Sequence, residues 1–383
     1  MLSKPISIIF FLLLITSCKE KSKAEFLHPI ETALKATSPE IKNVVDSINK
    51  YEVQIKFTQI QRKNGKVLFT DHDFQTDATH YFYPASSVKL PIAILALEAI
   101  NKIPDVHLNT KFYIEGDTIE TTVAKEITKI FAISDNNAYN RLFEFLGQDT
   151  INQALHNKGI EDVRIAHRLA VDNADDITTK PIIIYMNDST TRIRGKHINS
   201  VIKPLQLSSI KKGIAYLDED DLLVKEPFNF DQKNYYPIEA QHQVLERIIF
   251  PEKFKQEEQF KISAAQRDFL LQAMRSLPRE NGYDATTYYD SYVKFFMFGD
   301  NQDPIPNTID IYNKVGYAYG TLTDCAYIKD SINKIEFLLT ATILVNDNKI
   351  YNDDTYEYDT IGIPFLAELG RQLYQQELQL KKQ

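Results

Sequence analysis

The chain has 383 residues, 43% of them hydrophobic and 25% charged, with a net charge of -8. That balance excludes a disordered chain and a protein of many membrane spans, and it supplies a core for one large or two ordinary domains. The acidic surplus, with no basic stripe interleaved with aromatics, argues against a nucleic-acid partner.

The first eighteen residues read as an export signal. Lys4 supplies a positive charge, and residues 6–15 form an apolar run too short to span a bilayer as a mature helix. The ending Ile15-Thr16-Ser17-Cys18 resembles a bacterial lipobox, which implies a lipidated Cys18 and a membrane anchor. An exported lipoprotein, periplasmic or on the outer membrane of a Gram-negative-type bacterium, is the expectation. Residues 19–27 are polar and read as a tether. Only Cys325 would remain in the folded part, so no intramolecular disulfide is expected.

In chain order, Ser38-Pro39 opens a predicted helix over residues 38–50, with Ile41, Val44, Val45 and Ile48 on one face. Strands are predicted over 51–60 and 66–70 around a turn at Lys63-Asn64-Gly65. Residues 90–146 read as mostly helical, with 120–133 and 137–146 the clearest segments and Ser134-Asp135-Asn136 a polar turn between them. Residues 181–261 read as an insertion, a surface subdomain or cover. A helix follows over 263–276, then strands over 292–298, 308–316, 322–329 and 334–345, and an amphipathic helix over 359–378 closes the chain. The predicted class is α+β, an α/β sandwich plus an all-helical lobe, with an antiparallel sheet built from both ends of the chain. The sheet lobe spans 28–83 and 285–383, and the helical lobe 84–284.

Ser86-x-x-Lys89 puts a hydroxyl and an amine one turn apart at the start of an apolar helix, where an adjacent base and unpaired backbone N–H groups make a serine nucleophilic. The spacing alone decides nothing, because Ser-x-x-Lys starts at seven serines here. Order and context decide it. Ser134-Asp135-Asn136 and Lys314-Val315-Gly316 follow, the latter at a strand end.

These three motifs resemble those of the penicillin-binding and class A β-lactamase family of active-site serine hydrolases, Ser-x-x-Lys, Ser-Asp-Asn and Lys-Thr-Gly. The resemblance implies that Ser86 attacks an amide or ester carbonyl and that Lys89 accepts its proton. Ser134 would relay a proton to the leaving nitrogen. Asn136 would hold the substrate amide and Lys89, and Lys314 would supply a positive field. Val315, Gly316 and Tyr317 would border the substrate, with the backbone N–H groups of Ser86 and Tyr317 as an oxyanion hole worth about 3 kcal/mol per donor.

Two departures stand out. Val315 lacks the hydroxyl of the family's threonine. The loop over residues 168–181 lacks the glutamate that orders the hydrolytic water in class A enzymes, leaving Asp172, Asp175 and Asp176 as candidate bases. Acylation is therefore better supported than deacylation.

Asp71-His72-Asp73 lies alone in a polar turn, so neither a metal nor another cofactor is expected. The expected partner is a β-lactam or cell-wall peptide-like small substrate, met by a monomer. A serine hydrolase of the class A β-lactamase type is the leading expectation, with a cell-wall D-alanyl peptidase or esterase of the same chemistry as the first alternative and a non-catalytic envelope binding protein as the second, against which Ser86, Lys89, Ser134 and Asn136 together speak.

Overall fold

The structure is a computed structural model and describes residues 28–382. The export signal, Cys18 and the tether over 19–27 lie outside the described residues. Helices α1 (Pro29–Leu34) and α2 (Pro39–Val45) each begin on a proline, which loses no helical hydrogen bond at a first turn. α2 stops before the predicted Lys50: from Ser47 on, N–H groups bond three residues back, and the segment continues as tight turns. Strands β1 (Gln54–Lys63) and β2 (Lys66–Phe74) join through Asn64 and Gly65, both at positive φ, the conformation a two-residue hairpin requires.

A single 3-10 turn, Ala85–Val88, leads into α3 (Lys89–Ile100). Eleven of its twelve residues are buried, so it is the axis around which the helical lobe packs. Strands β3 (Lys111–Ile114) and β4 (Thr121–Thr122) precede α4 (Val123–Ile133), α5 (Asn136–Leu146) and α6 (Gln148–His156). Strands β5 (Ile182–Tyr185) and β6 (Thr191–Arg194) return to β3, giving a small sheet ordered β4-β3-β5-β6. Short strands β7 (Lys211–Lys212), β8 (Ala215–Leu217), β9 (Leu223–Val224) and β10 (Phe228–Asn229) follow. Then come α7 (Ile238–Ile249) and α8 (Ala264–Arg275), the latter closed by a Ser263–Gln266 capping box.

Strands β11 (Ile309–Ala318), β12 (Thr321–Asp330) and β13 (Ile335–Leu344) complete the main sheet, ordered β11-β12-β13-β1-β2 and antiparallel throughout. Strand β14 (Ile350–Tyr351) pairs with β8, and α9 (Ile363–Lys382) ends the fold. The central strand β13 is buried on both faces. Phe337, Leu339 and Ile343 share a core with Leu366, Leu369 and Leu373 of α9, whereas Leu338 joins the helical-lobe core with Val244 and Leu245 of α7. The predicted α+β class, with a sheet drawn from both ends of the chain, is what is observed.

Two predicted segments differ. Residues 292–298 form turns, not a strand: the N–H groups of Phe295 and Phe296 donate to Asp324 Oδ2 at 3.1 and 3.3 Å, while Val293, Phe295 and Phe296 pack into the α9-side core. These side chains cover the sheet by packing against it, without pairing to it. The region 181–261 is not uniformly a surface cover either. It contains α7, which packs on β1, β12 and β13. Its buried face carries Val244, Leu245, Ile248 and Ile249 at helical spacing, together with the polar Gln241 and His242. His242 bridges Thr58 (2.9 Å) and Thr340 (2.8 Å), and Gln241 accepts from Thr323 at 3.3 Å.

Candidate active site

The turn that carries Ser86 is set by its neighbours. Ala85 is held at φ 46°, a left-handed conformation that costs a non-glycine residue about 1 kcal/mol. Ser87 returns two bonds to the Pro84 carbonyl, from its N–H at 3.1 Å and its hydroxyl at 2.7 Å. Ser86 is thereby left half-buried and facing a cavity, while Ser87 and Lys89 turn inward. Strand β11 lies directly against this turn at Gly316. A Cβ there would stand 2.6 Å from the Pro84 carbonyl oxygen and 3.0 Å from the Ser86 nitrogen, so only glycine fits. The contact places Tyr317, the next residue, beside the Ser86 turn.

Lys89 is fully buried, and its amine donates to Asn136 Oδ1 at 2.6 Å, to the Ser134 carbonyl and to Ser134 Oγ at 3.3 Å. Burial lowers its pKa to about 7, against the opposing pull of Asp135. Ser134 ends α4 at φ 57°, and the Asp135 carboxylate caps α5 through Ala138 N at 2.7 Å. This left-handed break aims both the carbonyl and the hydroxyl of Ser134 at Lys89. From the other side Lys314 Nζ reaches Ser134 Oγ at 2.8 Å and the Val315 carbonyl at 2.8 Å. Burial, reinforced by the Lys89 charge, holds the Lys314 amine well below the usual lysine range. A hydroxyl that accepts from two amines has filled both lone pairs, and its own proton is left to donate.

Behind Lys314 lies a buried chain that sequence reasoning missed. Lys294 donates to Met274 O (2.7 Å), Ile311 O (2.9 Å) and Asn313 Oδ1 (2.7 Å). Asn313 donates to Asp324 Oδ1 at 2.9 Å, and Asp324 Oδ2 takes the two backbone N–H groups already described. Burial raises Asp324 to about 6 and lowers Lys294 to about 7. Lys294 ends Ser291-x-x-Lys294, one of the seven copies of the spacing, so the signal was present but indistinguishable from chance.

The cavity beside Ser86 holds about 430 Å3. Asn136 and Tyr83 line it with Ser86, the loop contributes Leu169 and Ala170, and the end of β11 contributes Tyr317, Ala318 and Tyr319. Asn352, Asp354, Tyr356 and Tyr358 complete the wall. Gly316 is not among these residues, nor is Val315. The pleat of β11 turns it into the α9-side core, where it is 1% exposed, while Lys314 and Gly316 face the helical lobe. Asp172, Asp175 and Asp176 do not line the cavity either. All three are exposed; Asp176 caps Thr178 N at 2.8 Å, and Asp175 lies 4.0 Å from Lys233.

The inserted strands brace this wall, a role that composition did not reveal. Phe228 and Phe230 pack on Tyr319 with ring centroids 5.4 Å away in each case, and Tyr83 meets Tyr319 edge-on at 4.9 Å. Pairing of β14 with β8 delivers residues 352–358 to the cavity. A larger hollow of about 1110 Å3, bordered by Glu98, Asp149 and Lys158, contains none of the three motifs.

The fold and this convergence of serine, lysine and a second serine define a β-lactamase-like serine hydrolase. The chain belongs to the beta-lactamase enzyme family, whose model matches residues 36–377. The solved structure of the beta-lactamase from Desulfarculus baarsii DSM 2075 is similar over 90% of this chain and 97% of that one, with a TM-score of 0.52 at 13% identity, a likeness of fold. The beta-lactamase from Sphaerobacter thermophilus DSM 20745 is similar over 91% of this chain and 96% of that one (TM-score 0.47, 13% identity). PBP-A is similar over 92% and 96% (TM-score 0.49, 14% identity). No curated protein sequence matches the chain.

Proposed function

We propose that the protein is a serine hydrolase of the class A β-lactamase type that forms an acyl-enzyme at Ser86. The observation that carries this reading is Ser134 Oγ, within hydrogen-bond reach of both Lys89 and Lys314. Neutral Lys89 takes the Ser86 proton as the Ser86 oxygen bonds to the carbonyl carbon, and backbone N–H groups at Ser86 and Tyr317 receive the oxyanion. Ser134 then gives its proton to the departing nitrogen and is resupplied from a neighbouring ammonium, so the C–N bond breaks without leaving an amide anion.

Release of the acyl group is the slower half. Leu169 and Ala170 occupy the loop positions on the cavity, and the loop aspartates lie outside it, so no loop carboxylate orders a water against the ester. A long-lived acyl-enzyme favours penicillin binding, or a cell-wall D-alanyl peptidase or esterase activity, over rapid β-lactam destruction. Intact-mass spectrometry after exposure to a β-lactam tests this. The expected adduct persists for many minutes in the wild type and is absent in Ser86→Ala; no adduct with any β-lactam rejects the reading.

The Lys4 charge, the apolar run and Cys18 support export with a lipid anchor at the membrane. Labelled palmitate incorporation that survives in Cys18→Ala rejects that part.

A further inference from the structure

The cleft has two chemically different ends. At one end stand Lys89, Ser134 and Lys314, the groups that handle the leaving nitrogen. The other end is the cavity formed by the tip of β11 and residues 352–358, and by elimination it receives the acyl portion of the substrate. This second end has no positive side chain: among the described residues, no lysine or arginine lines the cavity. Its one charged lining residue is Asp354, which is exposed and joins no ion pair among the described residues.

Aromatic rings line the same cavity as that carboxylate. Tyr317 meets Tyr358 edge-to-face at 5.5 Å, and Tyr356 lies 5.3 Å from Tyr358. Two of these rings are pinned by their hydroxyls, Tyr356 accepting from Asn352 N at 2.9 Å and Tyr358 from Gly320 N at 2.8 Å. Fixed rings present apolar area and electron-rich faces, both of which favour an aromatic body or a cation, and the Asp354 charge adds to the second preference.

We infer that this cavity selects acyl donors whose acyl group joins an apolar or aromatic body to a protonated amine, and disfavours a carboxylate at the same place. The inference rests on Ser86 being the acylated nucleophile. It sets this chain apart from a cleft that recognises its substrate through acidic groups at both ends.

Benzylpenicillin, ampicillin and carbenicillin supply the test, because on one side-chain carbon they carry hydrogen, ammonium and carboxylate and are otherwise alike. The measurement is the second-order rate of Ser86 labelling at low and high salt. The expected order is ampicillin, benzylpenicillin, carbenicillin, with about tenfold between the first and last at low salt and less at high salt, since the charge is exposed. Asp354→Asn brings the three within about threefold, and Asp354→Lys reverses the order. Equal rates in the wild type, or a preference for carbenicillin, overturn the inference while leaving acylation at Ser86 intact. A charge preference that Asp354→Lys leaves unchanged also overturns it. No labelling by any of the three overturns the acyl-enzyme reading itself, and the inference falls with it.

Discussion

Lys314 Nζ lies 2.8 Å from Ser134 Oγ, joining two residues 180 positions apart in the chain. One comes from the break between two helices of the lobe and the other from the edge strand of the main sheet, so the contact exists only when lobe and sheet are docked. Lys89 completes the arrangement from a third element, α3.

Removing the Ser134 hydroxyl while keeping the turn is expected to slow protonation of the leaving nitrogen. Ser134→Ala lowers the acylation rate of a β-lactam about 10²–10³-fold. An activated ester, whose leaving group needs no proton, loses much less. Stopped-flow rates with the two substrate types check the split; equal losses would assign Ser134 a purely structural role.

Lys89 acts as a base only when neutral, and burial brings its pKa to about 7. Acylation is therefore expected to climb about tenfold per pH unit below 7 and to level off above it. A rate that is flat from pH 5 to 8 contradicts this.

The same burial makes stability depend on pH. Lys89 and Lys294 titrate at about 7 in the fold, against about 10.4 in an unfolded chain. Across that window the unfolded chain holds more protons, so stability rises as pH goes from 7 towards 10. Asp324 has the opposite sign. It titrates at about 6 in the fold and at about 3.9 when unfolded, so its contribution declines as pH rises between those values. Urea midpoints measured from pH 7 to 9 should increase in the wild type and increase less in Lys89→Met.

At Gly316 an alanine would press on the Pro84 carbonyl and push β11 off the Ser86 turn. Gly316→Ala is expected to cost about 1–3 kcal/mol and to abolish labelling of Ser86. Gly65→Ala provides the contrast: φ is +75° but nothing stands within 4 Å of the added carbon. The cost there is about 1 kcal/mol of backbone strain, and labelling is retained.

Cutting the buried chain behind Lys314 should be expensive. Asp324→Leu leaves the N–H groups of Asn313, Phe295 and Phe296 without their acceptor and Lys294 without its nearby counter-charge. A loss of about 3–5 kcal/mol is expected. Thermal unfolding measures it, and a change under 1 kcal/mol would show that the network relaxes freely.

Where periodicity and polarity agreed, the elements were legible. The β1–β2 hairpin, α4, α5, α8 and the strands from β11 to β13 fall close to their predicted positions because apolar spacing and turn residues pointed the same way. α7 was missed although Val244, Leu245, Ile248 and Ile249 recur at helical spacing on its buried face; what its sequence could not show is that the buried Gln241 and His242 are satisfied by threonines far away in sequence. Residues 292–298 misled because a run of aromatics reads as a strand, whereas its backbone found a carboxylate in place of a neighbouring strand. Val315 was legible as a member of its motif, but its burial in the α9-side core was not.

By itself the sequence determined the class of fold and singled out the groups proposed to react, because both follow from local patterns: hydrophobic period, caps, and three short motifs in a fixed order. Only the tertiary structure decided which way those groups point and what surrounds them. The pleat sent Val315 inward, the loop carried its aspartates outward, and Phe228 and Phe230 of the insertion came to brace Tyr319 in the wall of a cavity whose one charged lining residue is Asp354. Orientation and burial depend on contacts between segments hundreds of residues apart, and no window along the chain contains them.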